Sequence, residues 1–81
     1  MAEKIQVYGA DWCGDCRLAK KVLKQLDVDY DWFDVAADDA LKEKAIEISG
    51  QMRIPVVLYP DGTFQVEPSA ADLRQKIGAA D

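Results

Sequence analysis

Histidine is absent from this 81-residue sequence, and cysteine occurs only twice, as Cys13 and Cys16. A zinc site usually takes four ligands from cysteine and histidine side chains, so one copy of the chain can supply only half of such a site. We therefore expect no metal cofactor. Two cysteines separated by two residues instead indicate a pair of thiols that forms and reopens a disulfide.

Positive charge and long apolar runs are also scarce. Ten lysine and arginine residues stand against 15 aspartate and glutamate residues, which gives a net charge of -5. Because a nucleic-acid-binding surface is basic, we expect no nucleic-acid partner. The longest strongly apolar run, residues 56–59, is far shorter than the roughly 20 residues that cross a bilayer, and the first residues lack the apolar stretch of a signal peptide. We expect a cytoplasmic protein with no membrane partner, a setting in which a cysteine pair is more often catalytic than structural.

Hydrophobic periodicity divides the chain into alternating strands and helices. It predicts strands at 4–8, 30–35, 56–59 and 63–66, and helices at 14–26, from Asp38 or Asp39 to about 49, and from Ser69 to near Gly78. The order β-α-β-α-β-β-α implies a parallel first half with a right-handed crossover and an antiparallel hairpin in the second half. We predict an α/β fold with a four-stranded mixed sheet and helices on both faces. The length suffices for one small core, so we expect a single domain over residues 1–81 and a monomer.

The second predicted strand has apolar residues on both of its faces. Tyr30 and Trp32 lie on one face, and Phe33 and Val35 lie on the other. Because successive side chains of a strand point to opposite faces, the pattern leaves open which pair contacts the core.

The cysteine pair lies at the junction between the end of the first predicted strand and the first turn of the first predicted helix. Ala19 belongs to the apolar stripe of that helix, and counting back by three reaches Cys16 and then Cys13. Both sulfurs therefore face the same side, with Cys16 nearer the buried part and Cys13 at the open end. The positive end of the helix dipole favours a thiolate there. The pattern predicts an attacking Cys13 and a sheltered Cys16.

These features resemble the thioredoxin superfamily in its small, glutaredoxin-sized form. The resemblance is carried by the order of the elements, by residues 12–16 (Trp-Cys-Gly-Asp-Cys) after the first strand and by Ile54-Pro55 before the third. It covers nearly the whole chain. Within the group, Asp61-Gly62-Thr63 and Pro68-Ser69-Ala70 are similar to the C-terminal half of the mycoredoxins. The resemblance implies a thioredoxin-like fold and a thiol-disulfide oxidoreductase that reduces mixed disulfides or protein disulfides.

The resemblance also assigns roles to residues. Cys13 would attack the substrate disulfide and hold the mixed disulfide, and Cys16 would resolve it. Pro55 matches the cis-proline of the family, which turns the backbone of Ile54 toward an extended substrate. Ser69 and Ala70 match the place where the last helix meets a bound thiol cofactor. The full set of residues implied to contact substrate or cofactor is Trp12, Gly14, Asp15, Arg53, Ile54, Pro55, Ser69 and Ala70.

Three departures bear on the thiol cofactor. Ala10 stands where many glutathione-using members have lysine, Arg53 stands where threonine is common, and residues 66–69 replace a Gly-Gly-x-Asp-like segment that grips glutathione. We therefore expect a low-molecular-weight thiol that is larger and less charged than glutathione, with mycothiol favoured over glutathione.

Two other functions stay open. The first is a redoxin of the ribonucleotide-reductase-linked type, which takes electrons from thioredoxin reductase, a flavoprotein, although the Trp-Ser-Gly-Phe stretch usual in that group is absent. The second is a [2Fe-2S]-binding module in which two chains each offer Cys13 and small thiols complete the ligand set. Cys16 would be superfluous in such a module.

Overall fold

Seven elements follow one another along residues 4–78, the part of the chain that the computed structural model describes. They are β1 (Ile5–Gly9), α1 (Gly14–Gln25), β2 (Tyr30–Asp34), α2 (Asp39–Ser49), β3 (Val56–Leu58), β4 (Phe64–Val66) and α3 (Ala70–Gly78). The predicted order is confirmed, and the predicted bounds differ from these by one or two residues. Within the described residues, none of the helices combines the length and the apolar character needed to cross a bilayer.

The four strands form one mixed sheet in the order β2-β1-β3-β4. β1 and β2 run parallel, whereas β3 is antiparallel to both β1 and β4. The predicted parallel first half and antiparallel hairpin are both confirmed. Val56 and Val57 of β3 are fully buried, one on each face, which explains the continuous apolar character of that strand.

Each face of the sheet has its own core. On one face, the stripe of α1 and Leu73 of α3 pack on Val7 and Val57. On the other face, Ala45 of α2 packs with Tyr8 and Val56. The predicted placement of helices on both faces is confirmed.

The open question about β2 is answered by this two-sided packing. Trp32 lies against the core under α1, whereas Phe33 and Val35 belong to the core under α2. The Phe33 ring stacks on Tyr8 with 4.9 Å between the ring centroids. Both apolar sets of this strand are therefore used, and neither faces only solvent.

Helix ends follow from local chemistry. α1 ends one residue earlier than predicted because Asp27 adopts a left-handed backbone with φ 57°, and the N–H groups of Asp27 and Val28 donate back to Lys24 and Leu23. α2 begins where the Asp38 carboxylate accepts a hydrogen bond from the Ala40 N–H at 2.9 Å. It ends at Gly50, whose φ of 72° suits glycine.

The pairing of β1 with β3 brings the cysteine pair and the Ile54-Pro55 segment to the same end of the sheet. Tyr8 of β1 pairs with Val56 of β3 in antiparallel fashion, so Ile54 and Pro55 lie beside the end of β1. From that same end the chain turns into Cys13 and α1. The cysteine pair and residues 53–55, called the proline loop below, therefore lie at the same end of the sheet.

Candidate active site

Cys13 is the residue that starts α1. Its backbone is extended, with φ -86° and ψ 122°, and its side chain makes no capping hydrogen bond. The Cys13 N–H donates to the Ala10 carbonyl at 3.2 Å, and its carbonyl accepts from the Arg17 N–H at 3.1 Å. The backbone is thus fixed at both sides while the half-buried thiol remains available at the positive end of the helix.

Cys16 lies one turn further along α1 and is fully buried. Burial raises the pKa of its thiol to about 12, and its hydrogen bond with the Cys13 side chain and the charge of Cys13 act in the same direction. The Ala10 N–H donates to the Cys16 sulfur at 3.4 Å and acts the other way. Both thiols are free. The two cysteines therefore differ in access, as the helical stripe predicted.

Gly9 is a site residue that sequence reasoning missed. A Cβ placed on Gly9 would lie 2.5 Å from the Cys16 sulfur and 2.9 Å from Cη2 of Trp32. Only glycine lets the backbone of β1 approach the Cys16 thiol this closely. A glycine at the end of a strand offers a weak signal in the sequence, because the same position is common before any turn.

The Ile54-Pro55 peptide bond is cis, as the family resemblance implied. Pro55 is buried, and its carbonyl accepts a hydrogen bond from the Glu67 N–H at 2.9 Å. Within residues 4–78, the N–H and C=O of Ile54 make no hydrogen bond. They offer the edge at which an extended peptide can pair.

A cleft of about 320 Å³ has Trp12, the residue before Cys13, in its lining, whereas neither cysteine lines it. Three of the predicted contact residues, Trp12, Arg53 and Ile54, line it together. Trp12 is 73% exposed. The other lining residues are Val35, Ala36, Asp39, Lys42, Ala45, Ile46, Gln51 and Met52.

The remaining predicted contact residues do not line this cleft. Gly14 and Asp15 are exposed in the first turn of α1, and the charge of Asp15 adds slightly to the raised pKa of Cys16. Ser69 and Ala70 are not among the residues that line the cleft. Ser69 instead forms a reciprocal cap: its hydroxyl accepts from the Asp72 N–H at 3.0 Å, and its N–H donates to the Asp72 carboxylate at 3.1 Å.

An ion pair joins the proline loop to the segment before α3. Nη1 of Arg53 lies 3.5 Å from Oε1 of Glu67. Glu67 has a φ of 50°, a left-handed value in which glycine is more usual. In this structure, residues 4–78 hold no group of three or more histidine, cysteine, aspartate or glutamate side chains placed to hold a metal ion.

A buried thiol and an accessible one, at a strand-to-helix junction beside a cis-proline, define a dithiol site on a thioredoxin-like fold. Comparisons with known proteins give the family. Residues 5–64 match the glutaredoxin family model. The chain is 38% identical over 77 residues to mycoredoxin 1 of Corynebacterium glutamicum, covering 93% of this chain and 94% of that protein. It is also 30% identical over 74 residues to a putative glutaredoxin of Mycobacterium tuberculosis, covering 90% and 88% of the two chains.

The fold agrees with the sequence comparison. A glutaredoxin from Archaeoglobus fulgidus superposes with a TM-score of 0.81 at 25% identity, over 93% of this chain and 85% of that one. The chain belongs to the glutaredoxin family. It is a glutaredoxin-like and mycoredoxin-like thiol-disulfide oxidoreductase.

Proposed function

We propose that this protein reduces mixed disulfides between low-molecular-weight thiols and proteins, and protein disulfides, with Cys13 as the attacking and Cys16 as the resolving thiol. The asymmetry of the pair carries the proposal. Cys13 is half-buried at a helix N-terminus, whereas Cys16 is fully buried with a pKa raised to about 12 by that burial. Only Cys13 is both accessible and placed at the positive end of a helix dipole.

In the first step, the Cys13 thiolate attacks one sulfur of the substrate disulfide. A bond forms between Cys13 and that sulfur, the substrate disulfide breaks, and the other thiol leaves and takes up a proton. The backbone of Ile54 would pair with the peptide that carries the substrate cysteine. The exposed Trp12 ring would cover the thiol that lies in the cleft.

In the second step, Cys16 resolves the mixed disulfide. Once Cys13 is bonded to substrate, its negative charge is gone and its thiol no longer takes part in the hydrogen bond with Cys16. Both of these influences raise the pKa of Cys16 in the reduced protein. Their removal makes the Cys16 thiolate easier to form when it is needed, while the Ala10 N–H remains in place to stabilise it. Cys16 then attacks Cys13, and the bound thiol leaves.

The thiol is proposed to be mycothiol rather than glutathione. Support comes from the similarity to mycoredoxin 1 over nearly the whole chain. Ala10, which contributes only its backbone to the site, adds no cation for a carboxylate of glutathione. We further propose that the chain works as one domain and as a monomer in the reducing cytoplasm.

The test is to follow reduction of the oxidised protein by mycothiol, by glutathione, and by NADPH with thioredoxin reductase. Intact mass and tryptophan fluorescence report the redox state. We expect the fastest reduction by mycothiol, and a Cys16→Ser variant should trap a mycothiol adduct on Cys13. Preference for glutathione would contradict the thiol assignment alone. Reduction only by the flavoprotein would contradict the glutaredoxin-type mechanism and favour a thioredoxin-type partner.

A further inference from the structure

The rim of the cleft carries an ion pair that the two reaction steps do not use. Arg53 lines the cleft one residue before Ile54, and Glu67 binds it from the segment between β4 and α3. The Arg53 side chain is 69% exposed and that of Glu67 is 37% exposed. The pair lies at the protein surface, and Arg53 is the member of the pair that lines the cleft.

The backbone, and not the ion pair, fixes Glu67 in this place. Its N–H donates to the Pro55 carbonyl, and the preceding residue, Val66, pairs with Val56 in the sheet. A glutamine at position 67 can keep both the backbone contact and the shape of the side chain. It would remove only the charge.

The charges around the cleft cancel because Glu67 is present. The lining residues carry one negative charge, on Asp39, and two positive charges, on Lys42 and Arg53. Glu67 adds the second negative charge directly on Arg53. Without Glu67, the cleft would carry one net positive charge and would attract anionic ligands.

The start of α3 shows the same arrangement. A helix N-terminus carries partial positive charge on its free N–H groups. Here the carboxylate of Asp72 already accepts the hydrogen bond of the Ser69 N–H. One N–H group at the start of α3 is therefore already bonded to a carboxylate of the chain itself.

We propose that Glu67 is a specificity-determining residue: by pairing with Arg53 it keeps the cleft electrically neutral and disfavours low-molecular-weight thiols that carry a carboxylate. Uncharged thiols are accepted in their place. The inference rests on the proposed function, because it concerns the thiol half of the mixed disulfide that Cys13 attacks.

The test uses two probes that differ only in charge. They are the mixed disulfides of pyridine-2-thiol with N-acetylcysteine, which has one carboxylate, and with N-acetylcysteine amide, which has none. The Cys13 thiolate attacks the cysteine sulfur, the disulfide of the probe breaks, and pyridine-2-thiol leaves with its absorbance, since the less basic thiol leaves faster. Cys16 then releases the N-acetylated thiol and the protein ends oxidised, so reduced protein completes one turnover without another reactant.

The selectivity is the rate constant for the carboxylate probe divided by that for the amide probe. We expect Glu67→Gln to raise this ratio about twofold to fivefold, the range that one exposed charge pair supplies. Because exposed charges are screened, the increase should shrink in about 1 M salt. Adding Arg53→Gln to the Glu67→Gln variant should cancel most of the increase, since it removes the cation that Glu67 had covered.

Asp29→Asn is the matched control. It removes one negative charge at the opposite end of the sheet, just before Tyr30, which pairs with the first residue of β1. The ratio should not change in this variant. An unchanged ratio in a folded Glu67→Gln variant, or an equal change of both rate constants, would overturn the role of Glu67. A wild-type protein that reacts with neither probe faster than a free model thiol would overturn the proposed function, and the role of Glu67 with it.

Discussion

The two ends of the sheet differ in how many of their exposed groups already have a partner within the chain. At the hairpin end, Asp61 accepts hydrogen bonds from Thr63 and from Lys76, the latter at 2.9 Å. The Tyr59 hydroxyl donates to Gln65, and the Lys76 ammonium also lies 5.1 Å from the Tyr59 ring centroid. At the active-site end, Trp12 and Met52 are 73% and 76% exposed, and the Ile54 backbone has no partner within residues 4–78.

This difference separates groups that hold the fold from groups that are available to a ligand. At the hairpin end, the Asp61–Thr63 hydrogen bonds hold the turn between β3 and β4, Lys76 of α3 binds that turn, and Tyr59 binds Gln65 of β4, so removing one of these contacts weakens the folded state. At the active-site end, the exposed Trp12 and Met52 side chains touch little of the chain, so removing either should leave the fold unchanged and alter binding. Cys16 and Gly9 are exceptions, because they lie at the active-site end yet are packed as tightly as the core.

Gly9→Ala should have the largest effect. It should impair both the stability of the fold and the reaction at the cysteine pair. The added methyl would overlap the Cys16 sulfur and the Trp32 ring. We expect a loss of about 1–3 kcal/mol of folding free energy, typical of overpacking a core. The displaced Cys16 should also release bound thiol from Cys13 more slowly, by about tenfold to a hundredfold. Denaturant unfolding measures the first effect, and quenched-flow mass spectrometry of the mixed disulfide measures the second.

Gly14→Ala is the matched control for this prediction. A Cβ on Gly14 meets nothing within 4 Å, although Gly14 lies directly between Cys13 and Asp15. Both the stability and the release rate should stay close to those of the wild type. A similar loss in both glycine variants would show that the close approach of Gly9 to Cys16 is not the cause.

Trp12→Ala tests the other half of the comparison: it should alter binding and leave the stability of the fold unchanged. A side chain this exposed contributes little to stability, so we expect a change within about 0.5 kcal/mol. The rate of attack on a protein mixed disulfide should fall by about fivefold, as for a contact residue at a binding surface. Stopped-flow rates with a protein substrate and with a small, uncharged disulfide distinguish a role of Trp12 in substrate contact from a role in the chemistry of Cys13. We expect the rate to fall with the protein substrate only. An equal fall with both substrates would place Trp12 in the chemistry of Cys13 and not in substrate contact.

Sequence reasoning predicted the features that depend on local chemistry or periodicity. The apolar stripe of α1 placed Cys16 inside and Cys13 at the open end, and the structure agrees. The start of α2 at Asp38 or Asp39 and the start of α3 at Ser69 were likewise predicted from the sequence. The cis form of Pro55 could not be deduced from the residues alone, because most proline peptide bonds are trans, and it came from the family resemblance.

What the sequence did not predict depends on contacts between distant segments. The role of Gly9 exists only because α1 and Trp32 pack back against the end of β1. The Arg53–Glu67 pair exists only because β3 and β4 bring their ends together. Periodicity could not assign Trp32 to one face either, since it describes one strand and not the helices that cover both sides of the sheet.

Asp61→Asn should have the smallest effect, and it concerns the hairpin end. Hydrogen bonds from Thr63 and Lys76 hold the pKa of the Asp61 carboxyl well below its usual range. A group whose pKa is lowered on folding stabilises the folded state above its unfolded pKa of about 3.9, and this contribution is lost as the pH falls toward the lowered native value. We expect the variant to have a lower Tm than the wild type at neutral pH. The two Tm values should converge as the pH falls below 4.

Asp29→Asn again serves as the matched control, because it removes an exposed aspartate for which no ion pair is present among residues 4–78. Its Tm should follow that of the wild type through the acid range. The rate of Cys13 attack at neutral pH should be the same in the wild type and both aspartate variants, because neither residue lines the cleft. A slower attack in Asp61→Asn alone would show that the hairpin end is coupled to the cysteine pair and that the two ends of the sheet are not independent.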